Sequence, residues 1–220
     1  MIATEEAGPM MLGDDFFRLA HDDVTGKPRL HTKALNVGCG AALLAELISS
    51  RHVEVDDTGV LIKNRQPPED SLMHLVLDHL VKEEGRRHSV STWLTFFSKD
   101  AATQIAERLL RGGHVRMTPV RKLGRQTGLL YVPVDINEAA RPWAVLSQLI
   151  RRHEPLAYNE LALAGLAVAT GLERRLLLDA AAETFDFLHS QVANLWPPMT
   201  CLLRYTHEVI GEAVLAHRHK

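Results

Sequence analysis

Two cysteines in 220 residues, Cys39 and Cys201, are too few for a disulfide framework and cannot supply a cysteine zinc site. Aromatic residues make up only 5%, which leaves little to stack nucleic-acid bases. Charge of one sign is also missing: 25 Lys and Arg face 27 Asp and Glu, a formal net charge of −2, so the whole molecule is not drawn to nucleic acid or membrane. Attraction to phosphates must come from a local patch. No apolar run approaches the roughly 20 residues that a bilayer-spanning helix needs; the most apolar, Leu161 to Ala169, reads as a helix buried on most sides, with Gly165 admitting a close neighbour. Met1 to Pro9 carries Glu5 and Glu6 in place of the basic start of a signal peptide, so it is expected to be a loose tail and the compartment the cytoplasm.

What is present is ordinary globular material, with 46% hydrophobic and 24% charged residues. Helical spacing is predicted over Met10–Ala20, Ala34–Ser49, a segment capped by Asp70, a segment starting near Ser89, and Ala101–Leu110. From Asn137 onward four helices are expected, at about 138–152, 157–170, 173–195 and 198–217. Two segments alternate instead. In the first, β-branched runs flank the Asp56-Asp57-Thr58-Gly59 turn and predict a hairpin over 52–63. In the second, Val115 and Met117 run out, and Leu130, Val132 and Val134 return, with Pro119 and Pro133 suited to strands that keep a free edge. The expected fold is mainly α: a single compact helical domain over 10–220, its core wrapped by amphipathic helices, plus two β-hairpins of which the second protrudes.

Several motifs fall short of chemistry. Leu35-Asn36-Val37-Gly38-Cys39-Gly40 has the glycines of a nucleotide-binding loop, but no strand precedes it and the third expected glycine is Ala42. Small residues where helices pack are the better reading. Twelve histidines contain no His-Glu-x-x-His arrangement, and no nucleophile elbow is present. No cofactor is implied and no catalytic residue stands out. The acidic pair Asp14-Asp15 supports an alternative reading, a Mg²⁺-dependent enzyme acting on an isoprenoid or other lipidic substrate, only if both carboxylates project into one apolar cavity. Otherwise they are acids in a first helical turn, where the macrodipole favours them.

The tip of the second hairpin differs. Arg116, Arg121, Lys122 and Arg125 gather positive charge around Leu123 in a chain that is net acidic. Basic side chains around an apolar one are what contact with an anionic lipid surface requires.

The order of elements resembles the bacterial branch of the Golgi phosphoprotein 3 family. The residues that carry it are Leu12-Gly13-Asp14-Asp15-Phe16-Phe17-Arg18-Leu19, Asp22-Asp23-Val24-Thr25-Gly26, Gly40-Ala41-Ala42-Leu43-Leu44-Ala45-Glu46-Leu47 and Ile105-Ala106-Glu107-Arg108-Leu109-Leu110. The resemblance runs from about Met11 to Ala216 and implies a helical core with a protruding hairpin. It implies an adaptor on membranes, not an enzyme, with phosphatidylinositol 4-phosphate and protein tails as partners. The tryptophan and three arginines of that family's lipid pocket fall at His31, Gly40, Lys99 and Ala102. Only Lys99 keeps a positive charge, and an ammonium does not reproduce the guanidinium fork. The expected partners are therefore an anionic phospholipid surface, such as the inner face of the plasma membrane, with protein tails or a second copy as further candidates and no nucleic acid.

Overall fold

The computed structural model describes the backbone of residues 11–122 and 125–218, and side chains within that range except those of 121–127 and 213–218. The expected N-terminal tail and Leu123 lie outside the described residues. The helices are α1 (Leu12–Ala20), α2 (Thr32–Ser49), α3 (Ser71–Glu83), α4 (Val90–Phe97), α5 (Ala101–Arg111), α6 (Ile136–Arg151), α7 (Tyr158–Thr170), α8 (Glu173–Leu176), α9 (Ala182–Val192) and α10 (Pro197–Arg218). The hairpins are β1 (Val53–Asp56) with β2 (Gly59–Ile62), and β3 (Val115–Lys122) with β4 (Arg125–Pro133). A mainly helical fold with two small antiparallel hairpins is what the sequence predicts.

Helix α2 is the axis of the core. It is apolar around its whole circumference, and its buried residues run almost unbroken from Ala34 to Ile48. A helix with no polar face must be covered on all sides, and α1, α3, α4, α5, α7 and α10 supply the cover. Its small residues set the spacing. A Cβ on Gly38 would lie 2.5 Å from Phe16 Cζ and 2.8 Å from Thr170 Cγ2, so α1 and α7 press directly on the α2 backbone. The glycines that resemble a nucleotide loop are thus helix-packing residues. Gly165 does the same for α10, where a Cβ would meet Leu203 Cδ1 at 2.4 Å.

Asp70 caps α3 as the sequence predicts, accepting the Met73 N–H at 2.9 Å, and Ser89, near which α4 was expected to start, accepts that of Thr92 at 3.2 Å. The first hairpin closes through the Asp57–Thr58 connection, with Asp56 opposite Gly59. One expected helix is corrected. The 173–195 segment is two helices, α8 and α9, because the chain turns at Asp179 (φ +61°), a left-handed conformation that aspartate tolerates better than most residues. Arg151 donates to the Leu178 carbonyl at 2.8 Å, satisfying an acceptor that the break releases. No helix among the described residues is long and apolar enough to cross a membrane.

Candidate membrane-facing hairpin and the ion cluster beneath it

The β3–β4 ladder pairs Val115 with Pro133, Met117 with Tyr131 and Pro119 with Leu129. Directly opposed residues share a face of a two-stranded sheet, and alternate residues share it along each strand. One face of this hairpin is therefore Val115, Met117, Pro119, Leu129, Tyr131 and Pro133, apolar apart from a tyrosine hydroxyl. Val115 is buried at its root and Tyr131 packs against the core. Farther out the face loses its cover: Met117 and Leu129 are each 51% exposed. The other face opposes exposed Arg116 to Val132 and Thr118 to Leu130. Among the described residues no further strand pairs with either edge.

Beyond a register shift between Val120 and Arg121, the ladder continues with Arg121 opposite Gln126 and Lys122 opposite Arg125. The backbone register thus sets two basic residues, Lys122 and Arg125, in one opposed pair at the end of the hairpin. The side chains of Arg121, Lys122 and Arg125 lie outside the described residues, as does Leu123.

The root of the hairpin is clamped from two sides. The 22–26 turn abuts β4 so closely that a Cβ on Gly26 (φ +67°) would fall 2.3 Å from the Tyr131 carbonyl oxygen. On the other side, His114 Nδ1 and Arg18 Nη2 meet Glu138 Oε1 at 2.8 and 2.5 Å, tying α1, the start of β3 and α6 together.

The positions aligned with a phosphoinositide pocket offer little charge. Lys99 is exposed, its ammonium 5.9 Å from the Phe96 ring centre. Gly40 is buried, and a Cβ there would lie 3.3 Å from Phe97 Cβ. Ala102 is half-buried, and His31 caps α2 by accepting the Lys33 N–H at 3.4 Å. Lys99 precedes α5 and the hairpin follows it, which separates them by roughly 16 Å along that helix.

Asp14 and Asp15 do not converge. Asp15 pairs with Arg18 at 3.5 Å, while Asp14 turns inward to Arg108, whose Nη2 lies 2.8 Å away. The two carboxylates that the alternative Mg²⁺ reading needs together are thus engaged apart, Asp14 by the Arg108 guanidinium and Asp15 by Arg18. Among the described residues no group of three His, Cys, Asp or Glu side chains is arranged to hold a metal.

Arg108 is the residue that sequence reasoning missed. Only 8% exposed, it also holds Glu46 at 3.1 Å and Asp70 at 3.0 Å, so one cation joins α1, α2, α5 and the cap of α3. Glu46 further accepts the Gly13 N–H at 2.5 Å. Burial pushes the carboxyls of Asp14 and Glu46 above their ordinary range, and the attraction of Arg108 offsets this only in part. Burial works against the Arg108 charge as well, yet Glu46, Asp14 and Asp70 together outweigh it and hold its pKa above the usual arginine value. The available clue was Glu46 itself, the single acid of α2, set in the apolar run Ala41–Ile48, which has to find a partner.

A sequence model of the Golgi phosphoprotein 3 (GPP34) family matches residues 12–194. No curated protein matches the chain well enough to serve as a relative. With the family match covering most of the chain, and the helical core and paired hairpins in place, the protein belongs to the Golgi phosphoprotein 3 (GPP34) family.

Proposed function

We propose that the protein is a non-catalytic peripheral membrane adaptor that binds anionic phospholipid headgroups through the β3–β4 hairpin. The observation that carries this reading is the composition of that hairpin: half-exposed Met117 and Leu129 lead toward an end where Lys122 opposes Arg125. Apolar side chains left in water are unfavourable in a free protein, and the sequence concentrates basic residues at the same end of the hairpin. An anionic interface answers both features, because headgroups attract the cations and the acyl boundary accepts the apolar face. Each cation near such a surface contributes about 1 kcal/mol. Family membership supports a membrane-adaptor role in general terms.

Selectivity for one phosphoinositide is not part of the proposal. His31, Gly40 and Ala102 bring no cation to the aligned pocket, and Lys99 alone cannot clamp a phosphate monoester as a set of guanidinium groups does. In this reading Lys99 adds general attraction, and the protein works on a cytoplasmic membrane face.

Vesicle co-sedimentation tests the proposal. Binding is expected to phosphatidylcholine mixed with phosphatidylglycerol and to be absent from phosphatidylcholine alone. Phosphatidylinositol 4-phosphate should bind no better than other lipids at equal surface charge. The variant Arg121→Glu, Lys122→Glu, Arg125→Glu should stay in solution. Equal binding to neutral vesicles, or binding unchanged in that variant, would overturn the reading.

A further inference from the structure

A second candidate site lies where the first hairpin meets the helical body, and it owes nothing to the membrane reading. A cleft of about 590 Å³ opens there, lined by Ser49, Arg51, Val53, Glu54, Lys63, Tyr158 and Trp196. Its residues come from the end of α2, from β1, from the residue after β2, from the start of α7 and from the turn before α10. Its volume falls within the range of small-molecule sites.

The polar groups around it are mostly donors. Glu54 is taken up by Lys63 at 2.9 Å. Arg51 is exposed and makes no ion pair among the described residues, so its charge is the uncompensated one. Among the described residues the Tyr158 hydroxyl meets Ser49 Oγ alone, at 3.3 Å. Two rings complete the walls, Tyr158 at 40% and Trp196 at 37% exposure, and Val53 is buried beside them.

Arg51 is also placed against its backbone preference. The C-terminus of α2 closes in a Schellman turn: the Arg51 N–H donates to Ile48 O at 3.0 Å and the His52 N–H to Leu47 O at 2.9 Å. That turn puts Arg51 at φ +59°, in the left-handed region where glycine is the favoured residue. Glycine would close the same turn with less strain. What arginine adds at this position is a guanidinium at the mouth of the cleft.

We infer that this cleft binds a small organic anion, a carboxylate or phosphate ester carried on a flat apolar body, with Arg51 meeting the anion and Tyr158 and Trp196 flanking the body. A guanidinium with no protein carboxylate is free to make the charge-assisted pair that a carboxylate or phosphate offers. The rings supply apolar contact for whatever carries it.

The test uses the whole protein, calorimetric titration and three probes: phenyl phosphate, benzoate and benzylamine. Either anion should bind saturably at one site, the tighter of the two identifying the preferred anionic group, and benzylamine should not bind. Arg51→Gly separates a ligand role from a structural one. It suits the left-handed turn, so it should melt at a higher temperature than the parent while binding the anion at least tenfold more weakly. Trp196→Ala should weaken binding without abolishing it. The inference is overturned if neither anion binds saturably, if benzylamine binds as well as the anions, if Arg51→Gly binds as the parent does, or if that variant melts lower.

Discussion

Replacing Arg108 with methionine keeps most of the side-chain volume and removes the one positive charge that three carboxylates share. Asp14 and Glu46 are then left almost wholly out of water, with Asp70 partly so; their side chains are 10%, 4% and 22% exposed. Breaking a buried ion pair by deleting one partner destabilises by about 3–5 kcal/mol, because the orphaned charge stays buried. That is a large share of the roughly 5–15 kcal/mol that holds a typical domain together. The assay is urea unfolding of parent and variant, near neutral pH and again near pH 5. The folded-state pKa values of Asp14 and Glu46 are raised, so the folded protein binds these protons more tightly than the unfolded chain does. Their penalty is absent below the ordinary carboxylate range and grows as pH rises through that range toward the raised values. Without Arg108 the raised values climb further, so the difference between parent and variant should shrink on acidification. His21, whose pKa burial lowers to about 4, loses stability as pH falls, but it does so in both proteins and cancels in the comparison. A neutral-pH difference below about 1 kcal/mol, or one that grows near pH 5, would refute the view that Arg108 holds this cluster together.

Gly26→Ala should lose about 2 kcal/mol or more in the same assay, since a Cβ would meet the Tyr131 carbonyl oxygen at 2.3 Å in left-handed backbone; an unchanged midpoint would contradict the clamp at the hairpin root. Met117→Asp with Leu129→Asp should melt as the parent does, because both side chains are half in water, yet lose most vesicle binding; retained binding would restrict the contact to the charged end.

Local chemistry made much of this fold readable from the chain. Asp70 and Ser89 cap the helices they were expected to begin, and the Asp-Asp-Thr-Gly turn folds as a hairpin. The break between α8 and α9 was not legible, because neither glycine nor proline marks residues 177–181 and the turn rests on aspartate accepting a left-handed backbone. The Arg108 cluster was hidden for another reason. Asp14 already makes sense as a first-turn acid and Asp70 as a cap, so neither demands a distant partner, and Arg108 reads as a basic residue in the last turn of α5. Only packing of α1, α2, α3 and α5 makes one constellation of residues that lie 38 to 94 positions from Arg108. For the second hairpin, alternation gave the strands and composition gave the charge. The exposed apolar pair Met117 and Leu129 needed the register and the burial of Val115 to be recognised.

The salt dependence of vesicle binding tests the central claim most directly. Three cations at about 1 kcal/mol each amount to about 3 kcal/mol, roughly a hundredfold in partition coefficient. Raising the ionic strength toward about 1 M shrinks the screening length to about 3 Å and should remove most of that factor. The parent protein should therefore leave phosphatidylglycerol-containing vesicles as salt rises, and the Arg121→Glu, Lys122→Glu, Arg125→Glu variant should show no comparable dependence. Parent binding that is indifferent to salt, or a variant with the same salt response, would contradict the hairpin as the membrane-binding surface.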